Sequence, residues 1–286
     1  MSQFMPLVVY KDFAMTRLLI VESNTAELID LARARQWRLG SEMFASAFRQ
    51  WLPEVRVEVI YPYINNEGIG DINAFDGVVF TGSSVDWSTD APRAEPLRRL
   101  MERTFAAGLP TYGSCNGLQL AAVVLGGAVA YSPNGFELGL AQVQRLDDGS
   151  GVSPLTHGRA SHFSVCTIHR DEVSQLPEQA RCVATNEHSA VQAFTFQSGT
   201  VNFWGTQYHP EYCPSDMSQR LNLGEGLFES TSDLGARLAK AETDERSAAS
   251  LGTTCEELAH PTRSVELKNW LVHIGALSTV QHGSVA

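Results

Sequence analysis

The chain has 286 residues, a net charge of −11 at pH 7 and a pI near 5.2. Its length suits one large α/β domain or two small ones, and its acidic balance argues against a surface for nucleic acid or for an anionic membrane. The five cysteines are scattered, which favours reduced thiols. The sequence shows neither a stretch long enough to span a bilayer nor the basic start of a signal peptide. Together these features predict a cytoplasmic protein. Residues 1–15 are predicted to be an N-terminal leader.

Strand and helix signals alternate through the first half of the chain. Residues 17–22 predict a buried strand, and candidate N-caps at 23–25 begin a helical stretch that reaches toward Trp51. Further strands are predicted at 55–60, 77–80 and 109–113, with helices at 92–107 and 118–125. This alternation predicts an α/β fold with a largely parallel sheet, helices on both faces and ligands at the carboxyl ends of the strands.

The second half of the chain changes character twice. From about residue 127 to residue 208 the runs are shorter and β-rich, which predicts strands that extend the sheet on one side: 138–143, 163–168, 180–185 and 190–196. Beyond Pro214, helical signals predict a C-terminal extension packed on the same domain: 236–242 and 264–271, with Leu267, Trp270 and Leu271 on one buried face. We therefore divide the chain into a domain at 16–220 and a helical extension at 221–286.

A cysteine stands where a predicted strand meets a predicted helix. Cys115 lies between Gly113 and Gly117, and glycines at such a corner let the backbone turn sharply and the two elements pack closely. The nucleophile elbow of serine hydrolases has this arrangement. A helix N-terminus directly behind Cys115 favours the thiolate and directs free N–H groups toward a developing oxyanion.

A histidine and a glutamate lie two residues apart far downstream. The run into His209 predicts extended chain, on which residues i and i+2 face the same side, so Glu211 can orient the His209 ring. Alone, a free cysteine is usually a small buried hydrophobe and a lone histidine at a strand end is usually structural. Together with Cys115, the pair supplies the nucleophile, base and orienting carboxylate of covalent acyl transfer.

Three segments carry a family resemblance. Residues 113–119 (GSCNGLQ) and 207–211 (QYHPE) resemble the paired signatures of class I, triad-type glutamine amidotransferases, and 78–84 (VVFTGSS) resembles the oxyanion strand and loop of that family. The similarity extends over roughly residues 16–215 and is greatest to the stand-alone branch that includes GMP-synthase-like amidotransferases and γ-glutamyl peptidases. It implies the flavodoxin-like fold of this family.

The resemblance also implies roles for individual residues. Cys115 corresponds to the nucleophile, His209 to the general base and acid, and Glu211 to the orienting acid, while the backbone N–H groups of Ser83 and Asn116 correspond to the oxyanion hole. The chain has TGSS at 81–84 where many members carry SGGP, and asparagine at 116 where an aromatic residue or leucine is common. Neither change removes a backbone N–H donor.

Substrate contacts are implied at four further positions. Gly82 and Gln119 belong to the oxyanion loop and the elbow. The segment 135–139 corresponds to a glutamine-contacting segment, which places Glu137 at the substrate. His169 begins a segment, 169–173, that is similar to a family loop near the active site, and a solvated loop remains the alternative reading of that segment.

No metal or cofactor is predicted. Three histidines and a cysteine lie close together in the sequence, but their spacing is not a zinc pattern, and a strand at 163–168 would send its side chains to alternate faces. These residues are His157, His162, Cys166 and His169.

Three functions remain open at this point. The first, implied by the resemblance, is hydrolysis of the γ-carboxamide of glutamine through a γ-glutamyl thioester, with ammonia passed to a separate ATP-dependent synthetase. A synthetase partner would be needed because no glycine-rich phosphate loop ending in Lys-Ser/Thr is present. The second is a stand-alone γ-glutamyl peptide or amide hydrolase. The third is a catalytically idle protein with a binding or regulatory role, against which the intact Cys, His and Glu set argues.

Overall fold

The computed structural model describes residues 15–65, 70–147, 149, 151–221 and 231–278, so all of the predicted leader except Met15 lies outside the described residues. The strands are β1 (Arg17–Val21), β2 (Arg56–Ile60), β3 (Gly77–Phe80), β4 (Thr111–Ser114), β5 (Ala128–Tyr131), β6 (Glu137–Arg145), β7 (His162–His169), β8 (Asp171–Gln175), β9 (Arg181–Thr185), β10 (Ala193–Ser198) and β11 (Val201–Thr206). The helices are α1 (Ala26–Ala34), α2 (Gly40–Trp51), α3 (Glu95–Ala106), α4 (Asn116–Val124), α5 (Pro214–Leu221), α6 (Ser232–Leu238), α7 (Glu245–Ser250), α8 (Cys255–Leu258), α9 (His260–Arg263) and α10 (Val265–His273).

The main sheet has nine strands in the order β2-β1-β3-β4-β11-β10-β9-β6-β7. The strands from β2 to β11 run parallel to one another, and the remaining four continue the sheet on one side by antiparallel pairing. The predicted α/β fold and the extension on one side are therefore confirmed. A separate antiparallel pair, β5 and β8, was not predicted as a second sheet.

Helices cover both faces of the parallel strands, as predicted. Along β1, Leu18 and Ile20 face a core that contains residues of α2 and α10, whereas Leu19 and Val21 face a core that contains residues of α3 and α4. This division follows from the period of two along a strand, which sends successive side chains to opposite faces. All four side chains are buried, so the sheet lies at the centre of two hydrophobic layers.

Helix α10 packs deep in one of these layers. Trp270 is fully buried, and its ring centroid lies 5.8 Å from that of Phe48 and 6.0 Å from that of Tyr112. A Cβ added to Gly77 would lie 2.6 Å from the Trp270 ring, so the helix approaches β3 at a position where only glycine leaves room. The three residues predicted to form the buried face of this helix are all buried.

A buried ion pair ties α10 to the chain next to His209. The guanidinium of Arg159 donates hydrogen bonds of 2.8 and 2.9 Å to the two carboxylate oxygens of Glu266, and both side chains are at most 1% exposed. The hydroxyl of Tyr208 donates a third bond of 2.8 Å to Glu266. The residue that precedes His209 is therefore held by the C-terminal helix.

Three predicted elements differ in the structure. The single helix expected between residue 25 and Trp51 is two helices, because Gln36 adopts a positive φ of 56° that a right-handed helix does not allow. The helical signal at 236–242 ends as a helix at Leu238. Part of the expected loop at 169–173 is a strand, since Asp171 begins β8, which pairs with β5. No helix in the described parts of the chain has the length and apolarity needed to cross a membrane.

Candidate active site

Cys115 occupies a strained turn between β4 and α4. Its φ of 49° and ψ of −103° lie in a region that residues with a Cβ rarely adopt. A Cβ on Gly113 would lie 2.5 Å from the carbonyl carbon of Gly117, and one on Gly117 would lie 2.5 Å from the carbonyl oxygen of Phe80. The glycines therefore permit the predicted close packing, whereas the sharp turn is made by the cysteine itself.

Two neighbouring parallel strands bring the distant motifs together. Strand β4 ends just before Cys115, strand β11 ends just before the segment that carries His209, and Thr206 pairs with Ser114 at their carboxyl ends. The N–H of Cys115 donates a 2.8 Å hydrogen bond to the carbonyl oxygen of Thr206. Gly82 lies against both residues, because a Cβ added to it would be 2.8 Å from the ring of His209 and 3.6 Å from the Cβ of Cys115.

Glu211 is bonded to the ring of His209. The distance from Nδ1 of His209 to Oε1 of Glu211 is 2.7 Å, and both side chains are almost completely buried. The backbone geometry differs from the prediction, because β11 ends at Thr206 and the N–H of Tyr212 bonds back to the carbonyl oxygen of His209. A turn, not an extended segment, therefore brings the carboxylate to the imidazole.

Ser114 is a member of this cluster that the sequence reasoning missed. Its buried hydroxyl lies 3.1 and 3.2 Å from the two carboxylate oxygens of Glu211 and 3.3 Å from Nδ1 of His209. A hydroxyl that donates to the carboxylate fixes its position against the ring. The available signal was its place on β4 directly before Cys115, at the carboxyl end of the strand.

The electrostatics of the cluster favour a protonated imidazole. Burial lowers the pKa of His209, but the charge of Glu211 and the nearby sulfur of Cys115 outweigh burial and raise the pKa to about 10. The other ring nitrogen, Nε2, is buried and has no partner of ordinary hydrogen-bond geometry in the described part of the protein. A neighbouring imidazolium stabilises a thiolate over a thiol.

The loop after β3 is held in place from the end of β1. The Oγ of Ser83 donates a 2.9 Å bond to the carbonyl oxygen of Ser23, and the N–H of Ser84 donates a 2.9 Å bond to Oδ1 of Asn24. Asn24 is in turn bonded to buried Glu22 at 2.7 Å. Within the described ranges, the backbone N–H of Ser83 donates to no protein acceptor. It is free to donate to a ligand.

Cys115, His209 and Ser83 line one cavity of about 410 Å³ at the carboxyl ends of the parallel strands. Gln119 is buried beside it, with its amide donating to the carbonyl oxygen of Asp171 at 2.7 Å and to Oε1 of Gln207 at 3.2 Å. Eight of the nine residues predicted to form the site line this cavity: Gly82, Ser83, Cys115, Asn116, Gln119, His169, His209 and Glu211.

Glu137, the ninth, does not line the cavity and lies behind His169. Its Oε2 is 2.8 Å from Nε2 of His169 and also accepts a 2.9 Å bond from Gln192, while Oε1 accepts a 2.6 Å bond from Asn186. Burial raises the pKa of Glu137, but the hydrogen bonds from His169 and the two amides outweigh burial and lower it to about 2. Glu137 thus orients His169 and does not reach the cavity itself.

One group of side chains in the described ranges has the spacing of a metal site. Ligand atoms of Glu137, His169 and His188 all lie within 4.8 Å of one another. The carboxylate of Glu137 is already occupied by hydrogen bonds, so we assign no metal there. The four residues weighed from the sequence do not form such a group in the described chain: His157, His162, Cys166 and His169.

Comparisons with known proteins identify relatives of the chain. The family model "Glutamine amidotransferase class-I" matches residues 43–223. A γ-glutamyl-L-1-hydroxyisopropylamide hydrolase of Pseudomonas sp is 30% identical over 90% of this chain and 92% of its own. A glutamine-hydrolysing GMP synthase subunit of Saccharolobus solfataricus is 29% identical over 54% of this chain and 76% of its own.

Several glutamine-hydrolysing GMP synthases match over only 20% to 27% of their own length. The chain therefore spans about a quarter of each of those relatives. Among solved structures, a glutamine amidotransferase from Thermotoga maritima superposes with a TM-score of 0.59 at 21% identity, over 92% of this chain and 99% of that one. This likeness shows the fold.

Proposed function

Because the chain belongs to the class I glutamine amidotransferase family, we propose that it hydrolyses the γ-amide bond of glutamine or of another γ-glutamyl amine through a thioester on Cys115. The observation that carries this proposal is the buried set of Cys115, His209 and Glu211 at one cavity. A strained cysteine at a helix N-terminus beside a carboxylate-bound imidazole has the parts of an activated nucleophile.

The proposed reaction has two stages. The Cys115 thiolate attacks the γ-carbonyl carbon, and the backbone N–H groups of Ser83 and Asn116 stabilise the oxyanion of the tetrahedral state. The imidazolium of His209 gives its proton to the departing amine or ammonia, which leaves a γ-glutamyl thioester and a neutral ring. The ring then takes a proton from water as the water attacks the thioester. Glutamate is released, and the thiolate of Cys115 and the imidazolium of His209 are regenerated.

Gly82, Gln119 and His169 are proposed to hold the glutamyl part of the substrate. Each of them lines the cavity. His169 is fixed between the carboxylate of Glu137 at 2.8 Å and the carbonyl oxygen of Asp171 at 3.2 Å, so its ring is held at the cavity wall. Rigid polar side chains of this kind give a small ligand its orientation.

Two fates of the released amine have specific support. A stand-alone hydrolase is supported by the Pseudomonas relative, a hydrolase that matches over 90% of this chain. Supply of ammonia to a separate synthetase is supported by the GMP synthase subunit of Saccharolobus solfataricus, whose match covers 54% of the chain. The wider match makes hydrolysis without a partner our first choice. The cytoplasmic location stays a prediction from the cysteine content.

Turnover by the isolated protein tests this proposal. We expect glutamate to be released from glutamine or from γ-glutamyl amides, and a glutamine-analogue electrophile to modify Cys115 and none of the other four cysteines. Modification of a different cysteine, or no glutamate from any of these compounds, would contradict the proposal. Glutaminase activity that rises only when an ATP-dependent synthetase is added would favour the ammonia-supplying function.

Replacing Glu211 by glutamine is expected to move the alkaline limit of activity. In the wild type, the imidazolium of His209 persists below its pKa of about 10 and is lost as the pH rises through that value. Without the carboxylate, burial dominates and lowers the pKa of His209, so kcat/KM should decline about one to three pH units earlier in Glu211→Gln. The control Glu54→Gln changes an exposed carboxylate and should keep the wild-type profile. An unchanged alkaline limb in Glu211→Gln would contradict the role of Glu211 in raising the pKa of His209.

A further inference from the structure

One wall of the cavity is built from alternating aromatic rings and guanidinium groups. It begins at His209, whose ring centroid lies 4.3 Å from that of Tyr212. The guanidinium carbon of Arg220 lies 5.3 Å from the centroid of Tyr212 and 5.3 Å from that of Trp37, and the guanidinium carbon of Arg35 lies 5.0 Å from Trp37 on the same indole. All five residues line the cavity. We call Tyr212, Arg220, Trp37 and Arg35 the arginine wall.

Within the described ranges, no carboxylate neutralises the two cations of the arginine wall. Neither Arg35 nor Arg220 forms an ion pair with a carboxylate of the described residues, although the chain has 32 acidic against 21 basic residues. Arg170 on the same cavity is different, because its guanidinium bonds to Asp171 at 2.7 and 3.0 Å. Arg220 donates one hydrogen bond, of 3.1 Å, to the carbonyl oxygen of Arg38. Two guanidinium groups on aromatic faces, without a carboxylate partner among the described residues, are preorganised to bind an anion.

The arginine wall adjoins the position of the leaving group in the proposed reaction. His209 must lie beside the departing nitrogen in order to protonate it, and the ring of Tyr212 lies against the His209 ring at an interplanar angle of 34°. A group attached to that nitrogen therefore extends along the wall. The cavity volume of about 410 Å³ falls in the range of roughly 300–1,000 Å³ that proteins use for drug-sized ligands, which is more space than glutamine needs.

We propose that the arginine wall is a leaving-group subsite for amino acids joined through their nitrogen to the γ-glutamyl group. This inference rests on the proposed function and names its substrate class. The departing amine carries a carboxylate that Arg220, the guanidinium nearer to His209, binds, while the charge of Arg35 further along the wall attracts it. The faces of Trp37 and Tyr212 contact the side chain of the departing amino acid. Guanidinium matches carboxylate in geometry and charge. Hydrolysis of the γ-amide bond with one water then yields glutamate and the free amino acid.

A matched pair of substrates isolates the carboxylate. γ-Glutamyl-phenylalanine and γ-glutamyl-phenethylamide differ only in that group, so the ratio of their kcat/KM values cancels any general damage to the catalytic residues. We expect the wild-type protein to prefer the peptide by about tenfold or more, as one charge-assisted hydrogen bond provides. The double variant R35Q/R220Q should lose this preference, and Arg35→Lys should keep part of it.

Arg49 offers a matched control, because it is exposed and does not line the cavity. Arg49→Gln should leave the preference within about twofold of wild type. Hydrolysis of both compounds without a preference, or a preference that survives in R35Q/R220Q, would overturn this inference and leave the proposed function intact. Hydrolysis of neither compound, nor of glutamine, would overturn the proposed function and the inference with it.

Discussion

Replacing Cys115 by alanine is expected to lower kcat/KM for glutamine and for γ-glutamyl amides by at least about 10⁴-fold, because no thioester can form without the sulfur. Removal of a catalytic nucleophile has effects of this size in other covalent hydrolases. Cys115→Ser should recover little, since a serine hydroxyl is a much weaker nucleophile than a cysteine thiol and depends on a stronger general base. Steady-state release of glutamate is the measurement.

The fold should survive this change. Apart from its interaction with His209, the sulfur of Cys115 makes a weak 3.8 Å contact with the carbonyl oxygen of Ile168, and alanine has a Cβ in the same position. The matched control is Cys182→Ala, which removes a partly exposed sulfur away from the cavity and should retain full activity. Full activity in a folded Cys115→Ala protein would remove the basis of the proposed mechanism.

Replacing Glu266 by glutamine is expected to lower the free energy of unfolding by about 3–5 kcal/mol, because it leaves the Arg159 guanidinium buried without a counter-charge. Burial lowers the pKa of Arg159, but the charge of Glu266 outweighs burial and raises it. Denaturant unfolding followed by intrinsic fluorescence would measure the loss. The variant should also lower activity, since the bond from Tyr208 next to His209 is weakened.

An exposed pair of the same residue types provides the control. Arg17 and Glu58 lie 2.7 Å apart with side chains 39% and 56% exposed, so Glu58→Gln should cost less than about 1 kcal/mol. Replacing Arg159 and Glu266 together by methionine and leucine should restore most of the stability, because the unpaired charge is then absent. Equal losses of unfolding free energy in Glu266→Gln and Glu58→Gln would contradict the prediction that burial makes the loss of the Arg159–Glu266 pair more costly.

Local patterns in the sequence were sufficient to predict the parallel half of the sheet. The strands around Ile20 and Val79 are short apolar runs between turn signals, and the elbow at Cys115 is marked by its two glycines. Short β-rich runs then indicated the extension of the sheet on one side, and the family resemblance indicated the residues around the cavity. These features depend on neighbours in the chain, so single segments reveal them.

Features that depend on distant contacts could not be predicted in this way. The break at Gln36 lets a new helix begin at Gly40, which approaches Thr81 so closely that a Cβ would lie 2.9 Å away. Glu137 lies behind His169 because β6 and β7 pair with these two residues opposite each other. The arginine wall joins a linker between two helices to α5, and no local pattern relates that linker to α5.

The match to the family model ends at residue 223, yet the indole of Trp270 fills the space between Phe48 and Tyr112. A shortened protein that stopped where the match stops would expose these rings to water and would leave the Arg159 guanidinium without Glu266, which also bonds to Tyr208 next to His209. Helix α10 is therefore part of the hydrophobic core of the protein. We expect the shortest fragment that folds on its own to extend well past residue 223, where the family match ends.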